Sequence, residues 1–423
     1  MYNKKERIVC AFVHTGIRIL KNTLSYKFFL IWSFFIPITS FVLLPSVKGS
    51  LISYIMAFIS PIIVISCKKI RKKYFCDFCI FIFIWLFFLM ISQLSNSIWN
   101  INISSLILLD SNDFYTKVFR DSIFSQSLYL LPCIFLFLYT KYFYNEKWDI
   151  WIIYSGLVFS IIGLFFFVYF LFTGQNADFI SNRIVGENNG SWYQYVIIGN
   201  LLIQRIQGLS GEPSMYAFIL LPYLIFSIHR KANKSIIFIM GLSLILTMST
   251  SGYLGILVYL FCLLYFNRIN IRYLKYILIS ISICCVIYII FKDYIDGIIM
   301  NAIINKLTNL DDPNNVSGIE RSANIYGNII YWLNLDIMHM LFGIGFGVIR
   351  STDLFSTFLI NIGIVGTILF SYFYLKNIKR KNITFKDIGD NSILLVLFVV
   401  AMVSVPEFSF LSFWLFLGII YHK

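Results

Sequence analysis

Two charged side chains, Arg205 and Glu212, lie close together in a polar stretch, RIQGLSGEPSMYA, that leads directly into an apolar segment. A guanidinium group is permanently charged, and its forked donors match the oxygens of a phosphate. A carboxylate accepts a proton from a hydroxyl group, and Gly208 and Gly211 permit a tight turn or a close approach of the backbone to a ligand. The stretch therefore predicts a site for an anionic group. The alternative for Glu212 is structural, because Pro213 suits the first position of a helix whose N-terminus favours a carboxylate.

More positive charge lies in the two longest segments between apolar runs, 174–212 and 292–353. Besides Arg205, they carry Arg183, Arg321 and Arg350. One arginine from each segment would hold a pyrophosphate and stabilise the negative charge that develops when a bond from sugar to phosphate breaks.

The alternative for these arginines is that each pairs with an acid nearby in sequence. The pairs suggested by spacing are Arg321 with Glu320 or Asp336, and Arg350 with Asp353. The same acids compete with Glu212 for the role of proton acceptor, and the sequence leaves that choice open.

The amino-acid composition indicates that membrane-spanning helices position these residues. Hydrophobic residues make up 59% of the 423 and charged residues only 13%. Apolar runs recur that are long enough to cross a hydrocarbon core of roughly 30 Å as helices, and a helix satisfies its own backbone in lipid. We therefore predict an all-α, polytopic membrane protein with one membrane domain over 1–423. The twelve predicted spans are 28–45, 49–66, 75–95, 122–142, 150–173, 213–228, 235–249, 251–266, 276–291, 354–375, 392–405 and 408–421.

The distribution of lysine and arginine predicts the orientation of the chain. With the N-terminus in the cytoplasm, most of the 34 basic residues fall in cytoplasmic segments, as the positive-inside rule requires. Most of the 20 acidic residues then fall outside. Both termini are expected in the cytoplasm, and 174–212 and 292–353 become large outer loops. The net charge of +14 is thus a topology signal and does not indicate nucleic-acid binding.

Four short sequence motifs occur together in the C-terminal half of the chain. They are Arg205 with GLSGEPSMYA at the sixth span, STSGYLG at the eighth, LFGIGFG before the tenth and FLINIGIVG within it. In order and membrane position the set resembles the O-antigen and capsular polysaccharide polymerase family, often called Wzy, within the O-antigen polymerase and ligase superfamily. GIGFG lacks the preceding strand and following lysine of a phosphate-binding loop, so on its own it predicts a close-packed turn.

The resemblance implies a glycosyltransferase of the membrane-embedded GT-C type that needs no metal and no cofactor. It would transfer a glycan from an undecaprenyl pyrophosphate donor to a lipid-linked repeat-unit acceptor, on the outer face of a bacterial inner membrane. Arg205 and Arg321 would contact the donor pyrophosphate, and Glu212 would line the sugar site or activate the acceptor hydroxyl. The product would be O-antigen of lipopolysaccharide, capsule or exopolysaccharide, and a chain-length regulator protein would be a partner. Further substrate contacts are predicted at Arg183, Gly208, Gly211, Ser214, Tyr216, Arg350 and Asp353.

Two other functions stay as alternatives. O-antigen ligases resemble these polymerases but carry a histidine shortly before the glycine motif of the tenth span, and STDLFSTFLINIGIVG has none. A flippase for lipid-linked oligosaccharides would do no chemistry, and it is expected to show two similar halves. We see no such repeat in this chain. The identity of the sugars, their linkage and the oligomeric state do not follow from the sequence.

Overall fold

The fold is mostly helical. The computed structural model describes residues 24–45, 47, 49–177, 179–185, 188–189, 193–198, 201–266, 316–380 and 383–422. In chain order the helices are α1 Leu24–Phe35, α2 Ile52–Ile65, α3 Lys68–Ile98, α4 Asp121–Phe143, α5 Asp149–Thr173, α6 Pro213–His229, α7 Lys234–Ile245, α8 Thr250–Phe266, α9 Val316–Leu333, α10 Ile337–Phe342, α11 Leu354–Leu375, α12 Phe385–Ser404 and α13 Leu411–Tyr421. Single-turn 3-10 helices at Ser111–Tyr115 and Glu146–Trp148 precede α4 and α5.

Five of these helices, α3, α4, α5, α11 and α12, are long and apolar enough to cross a membrane. Six shorter apolar helices, α1, α2, α6, α7, α8 and α13, match other predicted spans. The all-α membrane class is therefore supported. The count of twelve stays a prediction, because the ninth predicted span, 276–291, lies outside the described residues.

Several predicted spans have different bounds in the structure. The third was expected to begin at 75, but α3 begins at Lys68, so the basic run 68–73 is helical. The first was expected over 28–45, but α1 ends at Phe35, shortly before Pro37, and the chain continues as a loop closed by a bridge between Val42 and Leu51. The eleventh was expected to begin at 392, but α12 begins at Phe385. Its start is fixed by a capping box in which Thr384 and Asp387 each bond the other's backbone N–H, so polar residues extend the helix beyond its apolar run.

Helix α6 lies at the centre of the bundle, and most of its side chains are buried. It packs against α5, α7, α8 and α12, while α13 packs against α4. The residues at the start of α6 are thereby held at one end of a rigid core.

The two long predicted loops contain regular structure of their own. In 174–212, β1 (Ile184–Val185) pairs with β2 (Asn188–Asn189), and β3 (Tyr195–Ile198) pairs with β4 (Leu201–Gln204), both antiparallel. The end of the second long loop contains α9 and α10. Apolar residues of 101–106 and 344–349 share a small core with Leu89 and Ile123, which joins the loop after α3 to the turn before α11.

The GIGFG turn and the FLINIGIVG segment cross each other backbone against backbone. Gly343 (φ 77°) and Gly363 (φ 66°) both adopt left-handed backbone, and Gly363 interrupts the helical geometry of α11. The N–H of Ile344 donates to the Ile360 carbonyl at 2.8 Å. A Cβ at Gly343 would lie 2.4 Å from the backbone carbon of Asn361, and one at Gly363 would lie 2.3 Å from the Leu341 carbonyl oxygen. The prediction of a close-packed turn is confirmed.

We expect Gly343→Ala to destabilise the protein by about 3 kcal/mol or more, because a Cβ would overlap backbone atoms and require strained backbone. The measurement is the Tm of the detergent-purified protein. Gly241→Ala in α7 is the matched control, since nothing lies within 4 Å of its added Cβ and alanine favours a helix. Equal Tm values for the two variants would show that the close contact between the GIGFG turn and α11 does not constrain the fold.

Candidate functional site

The segment before α6 turns tightly so that Glu212 reaches the end of the bundle. Gly208 has φ 47°, and a Cβ there would lie 2.7 Å from the Tyr216 ring. Both the conformation and the packing therefore require glycine. Pro213 occupies the first position of α6, as predicted, but Glu212 makes no capping hydrogen bond with its side chain. Instead its Oε1 accepts a hydrogen bond from the Ser214 hydroxyl.

Glu212 lines a cavity of about 320 Å³ at this end of the bundle. The wall also includes residues from the loop after α1, from α2, α4 and α11, and from the segment between α12 and α13. Among the described residues, four charged side chains border it: Arg183, Glu212, Arg350 and Glu407. The fold thus brings together charges from three separate parts of the chain.

Arg350 is held at the rim of this cavity by an ion pair with Glu407. The side chain of Arg350 is 45% exposed, whereas that of Glu407 is 15% exposed, so the guanidinium stays accessible to a ligand. The second carboxylate oxygen of Glu407 accepts from the Ser409 hydroxyl at 3.0 Å. Asn361 fixes the backbone next to Arg350, accepting from the Ile349 N–H at 3.0 Å and donating to its carbonyl at 2.9 Å.

Arg183 approaches the same cavity from the first long loop. Its Nη1 donates to the Thr39 carbonyl at 3.1 Å, while its buried Nε has no hydrogen-bond partner in the described part of the chain. Asn182 anchors this segment by bonding both backbone groups of Val42 at 2.8 Å. Arg183 thus adds a positive charge to the wall of the cavity.

An apolar groove of about 460 Å³ adjoins the charged cavity, and both are bordered by Phe346, Phe358 and Phe408. The groove runs between α3, α4, α11 and α13 as far as Asp77 and Lys141. From Asp77 to Phe88 on α3 this is about 16 Å, at 1.5 Å per helical residue. Its walls are almost entirely hydrocarbon and aromatic. A charged cavity that opens into an apolar groove matches an amphiphile with an anionic head group.

Arg205 does not line this cavity, although the sequence made it the first candidate. Its side chain is 7% exposed, its Nε donates to the Thr247 carbonyl at 2.9 Å, and Nη1 donates to the Gln194 side chain. These bonds join the β3–β4 hairpin to the turn between α7 and α8. The described contacts of Arg205 are therefore structural ones.

Other predicted substrate contacts also have structural partners. Tyr216 is fully buried, shares a 2.6 Å hydrogen bond with Ser243 and stacks on Phe159. Gly211 lines the cavity, whereas Ser214 reaches it only through its bond to Glu212. Arg321 lies in α9, and its side chain, like that of Glu320, is outside the described residues.

Asp353 and Asp336 both cap helices. Asp353 accepts from the Ser356 N–H at 2.7 Å and the Ser356 hydroxyl at 2.6 Å at the start of α11. Burial raises the pKa of its carboxyl, and the hydrogen bonds from Ser356 and Ser351 oppose that shift. Asp336 caps α10 and bonds His339. Burial would raise the pKa of the Asp336 carboxyl, but the bonds from His339 outweigh it and the pKa is lowered. Neither carboxylate lines the charged cavity.

Glu407 was not among the predicted site residues. The available signal was an acidic residue directly after a proline, in the short break between the two last predicted spans. Spacing also predicted the wrong partner for Arg350, which pairs with Glu407 across the bundle instead of with Asp353.

No protein family, no curated protein and no solved structure matches this chain. Within the described ranges, no group of three or more His, Cys, Asp or Glu side chains is placed to hold a metal ion.

Proposed function

We propose that this protein is an oligosaccharide repeat-unit polymerase. It transfers a glycan from an undecaprenyl pyrophosphate donor to a lipid-linked repeat unit, at the outer face of a bacterial cytoplasmic membrane. The observation that carries the proposal is the charged cavity joined to an apolar groove. The resemblance of its four sequence motifs to polysaccharide polymerases supports the same substrate class.

The donor pyrophosphate occupies the cavity between Arg183 and Arg350. Both arginines border the cavity, whereas Arg205 bonds Thr247 and Gln194 instead. Arg321 stays a prediction, because its side chain lies outside the described residues. Arg350 keeps the ion pair of its Nη2 with Glu407 and donates to the pyrophosphate with its other N–H groups, while Arg183 adds a second positive charge from the same cavity wall. Both then stabilise the negative charge that grows on the leaving pyrophosphate.

The polyprenyl tail next to the pyrophosphate lies in the groove, and the rest of the tail extends into the bilayer. The shared residues Phe346, Phe358 and Phe408 form the boundary between head group and tail. Apolar area buried in this way contributes about 25 cal/mol per Å². The binding energy of the tail thus holds the reacting carbon at a fixed place near the arginines.

Glu212 accepts the proton of the attacking hydroxyl. One of its carboxylate oxygens is bonded to Ser214, and the other has no partner among the described residues. Glu407, by contrast, uses one oxygen for Arg350 and the other for Ser409. Of the two cavity glutamates, only Glu212 therefore has an oxygen available to a substrate.

Analysis of the surface glycan in a deletion strain separates this function from its alternatives. We expect single repeat units to reach the surface while longer chains are lost, and the complementing gene to restore them. Lipid-linked units trapped on the cytoplasmic face would instead indicate a flippase. Full-length chains that remain on the lipid carrier would indicate a ligase.

A further inference from the structure

Glu212 and Arg350 form a wall between two cavities. A second cavity, of about 240 Å³, lies on the other side of these residues and is also bordered by Ser351, Thr352 and Val405. In the part of the chain that the structure describes, four residues line both cavities: Glu212, Met215, Arg350 and Pro406. None of the residues of the apolar groove borders the second cavity. The second cavity is therefore separate from the place proposed for the lipid tail.

Thr352 borders the second cavity. Its Oγ1 is buried and has no hydrogen-bond partner in the described part of the protein. The neighbouring hydroxyls are engaged, since Ser351 donates to Asp353 at 3.3 Å and Ser404 donates to the Val400 carbonyl at 3.1 Å. A buried hydroxyl without a partner costs free energy unless a ligand supplies one.

We propose that the second cavity binds the acceptor sugar, with Thr352 bonded to one of its hydroxyls and the attacking hydroxyl directed at Glu212. This rests on the proposed polymerase function and adds the place of the second substrate. A transfer between two glycans needs both reactants beside the same reacting groups. The shared wall places both substrates beside the same reacting groups, because Glu212 and Arg350 border both cavities.

In this arrangement one bond forms and one bond breaks. The acceptor oxygen forms a bond to the anomeric carbon of the donor sugar, and the bond from that carbon to the pyrophosphate oxygen breaks. The electron pair leaves with the pyrophosphate, whose charge Arg350 and Arg183 stabilise. The proton of the acceptor hydroxyl passes to Glu212. The products are the extended glycan on the acceptor carrier and free undecaprenyl pyrophosphate.

The test uses purified full-length protein in liposomes with lipid-linked repeat units isolated from the source strain as donor. The acceptor probe is the repeat-unit oligosaccharide released from the carrier by mild acid, which has no pyrophosphate and can act only as acceptor. We expect Thr352→Val to raise the KM for this acceptor roughly five- to tenfold and to leave the KM for the donor unchanged. Thr352→Ser keeps the hydroxyl and should restore the acceptor KM to within about twofold of the wild-type value.

Thr39→Val is the matched comparison, because Thr39 lines the first cavity and its buried hydroxyl is also without a partner among the described residues. It should leave the acceptor KM unchanged. Equal shifts of both KM values in Thr352→Val, or no shift of the acceptor KM, would overturn the assignment of the second cavity alone. A wild-type protein that forms no product from donor and acceptor would overturn both the polymerase function and this inference.

Discussion

Arg350→Ala is expected to lower the rate of polymer formation roughly 100- to 1,000-fold, the effect of removing one preorganised donor to a developing negative charge. The guanidinium borders both cavities and is partly exposed. Its removal also leaves Glu407 facing an anionic substrate without its partner. Arg350→Lys should retain only part of the activity, since an ammonium keeps the charge but not the fork. The rate is measured as the appearance of chains longer than one repeat unit.

Lys117→Ala is the control for Arg350. Lys117 is an exposed cation in the loop after α3, bonded to Asn100 and remote from the cavity lining. The Lys117→Ala protein should polymerise at the wild-type rate. Normal chain lengths in Arg350→Ala would contradict its place at the pyrophosphate. Arg205 variants need a Tm measurement as well, because loss of the buried bonds to Thr247 and Gln194 lowers stability whatever else Arg205 does.

Glu212→Gln is expected to reduce turnover by roughly 100- to 10,000-fold, the usual contribution of a general base. Glutamine is nearly isosteric and still accepts the hydrogen bond from Ser214, so the start of α6 should keep its structure. Donor binding should persist, because the arginines and the groove are untouched. Turnover and donor KM are therefore measured together, and only turnover should fall.

Glu146→Gln is the matched control for Glu212. Glu146 is an exposed glutamate that pairs with Lys386 away from the cavity. Replacing its carboxylate with an amide should therefore leave turnover unchanged. A Glu212→Gln protein with more than about a tenth of the wild-type turnover would exclude Glu212 as the proton acceptor.

Local sequence signals predicted several elements well. The Glu-Pro pair placed the start of α6 at Pro213, and the apolar run at 354–375 coincides with α11. Helix ends that polar contacts determine were harder to predict, as at Thr384 and Asp387, because hydropathy carries no information on capping. The glycines of GIGFG predicted a tight turn, but not that the turn crosses Gly363 of α11. That contact depends on how two segments meet in space.

The candidate site was less predictable than the fold, because its members are distant in sequence. Arg350 lies next to Asp353 along the chain but pairs with Glu407. Arg205 and Glu212 lie in one short stretch, but the chain turns at Gly208 between them. As a result Arg205 bonds residues of the hairpin and the α7–α8 turn, whereas Glu212 lines the cavity. Proximity in sequence therefore indicated the right region, while the direction of each side chain depended on tertiary packing.

The proposed function requires the charged cavity and its groove to bind a pyrophosphate-linked glycan and to transfer it. The most direct measurement reconstitutes the wild-type protein in liposomes with purified lipid-linked repeat units as the only sugar source, without nucleotide sugar. A ladder of chains of increasing length, together with released undecaprenyl pyrophosphate, is the predicted result. Single repeat units that stay on their carriers, with folded protein present, would contradict it.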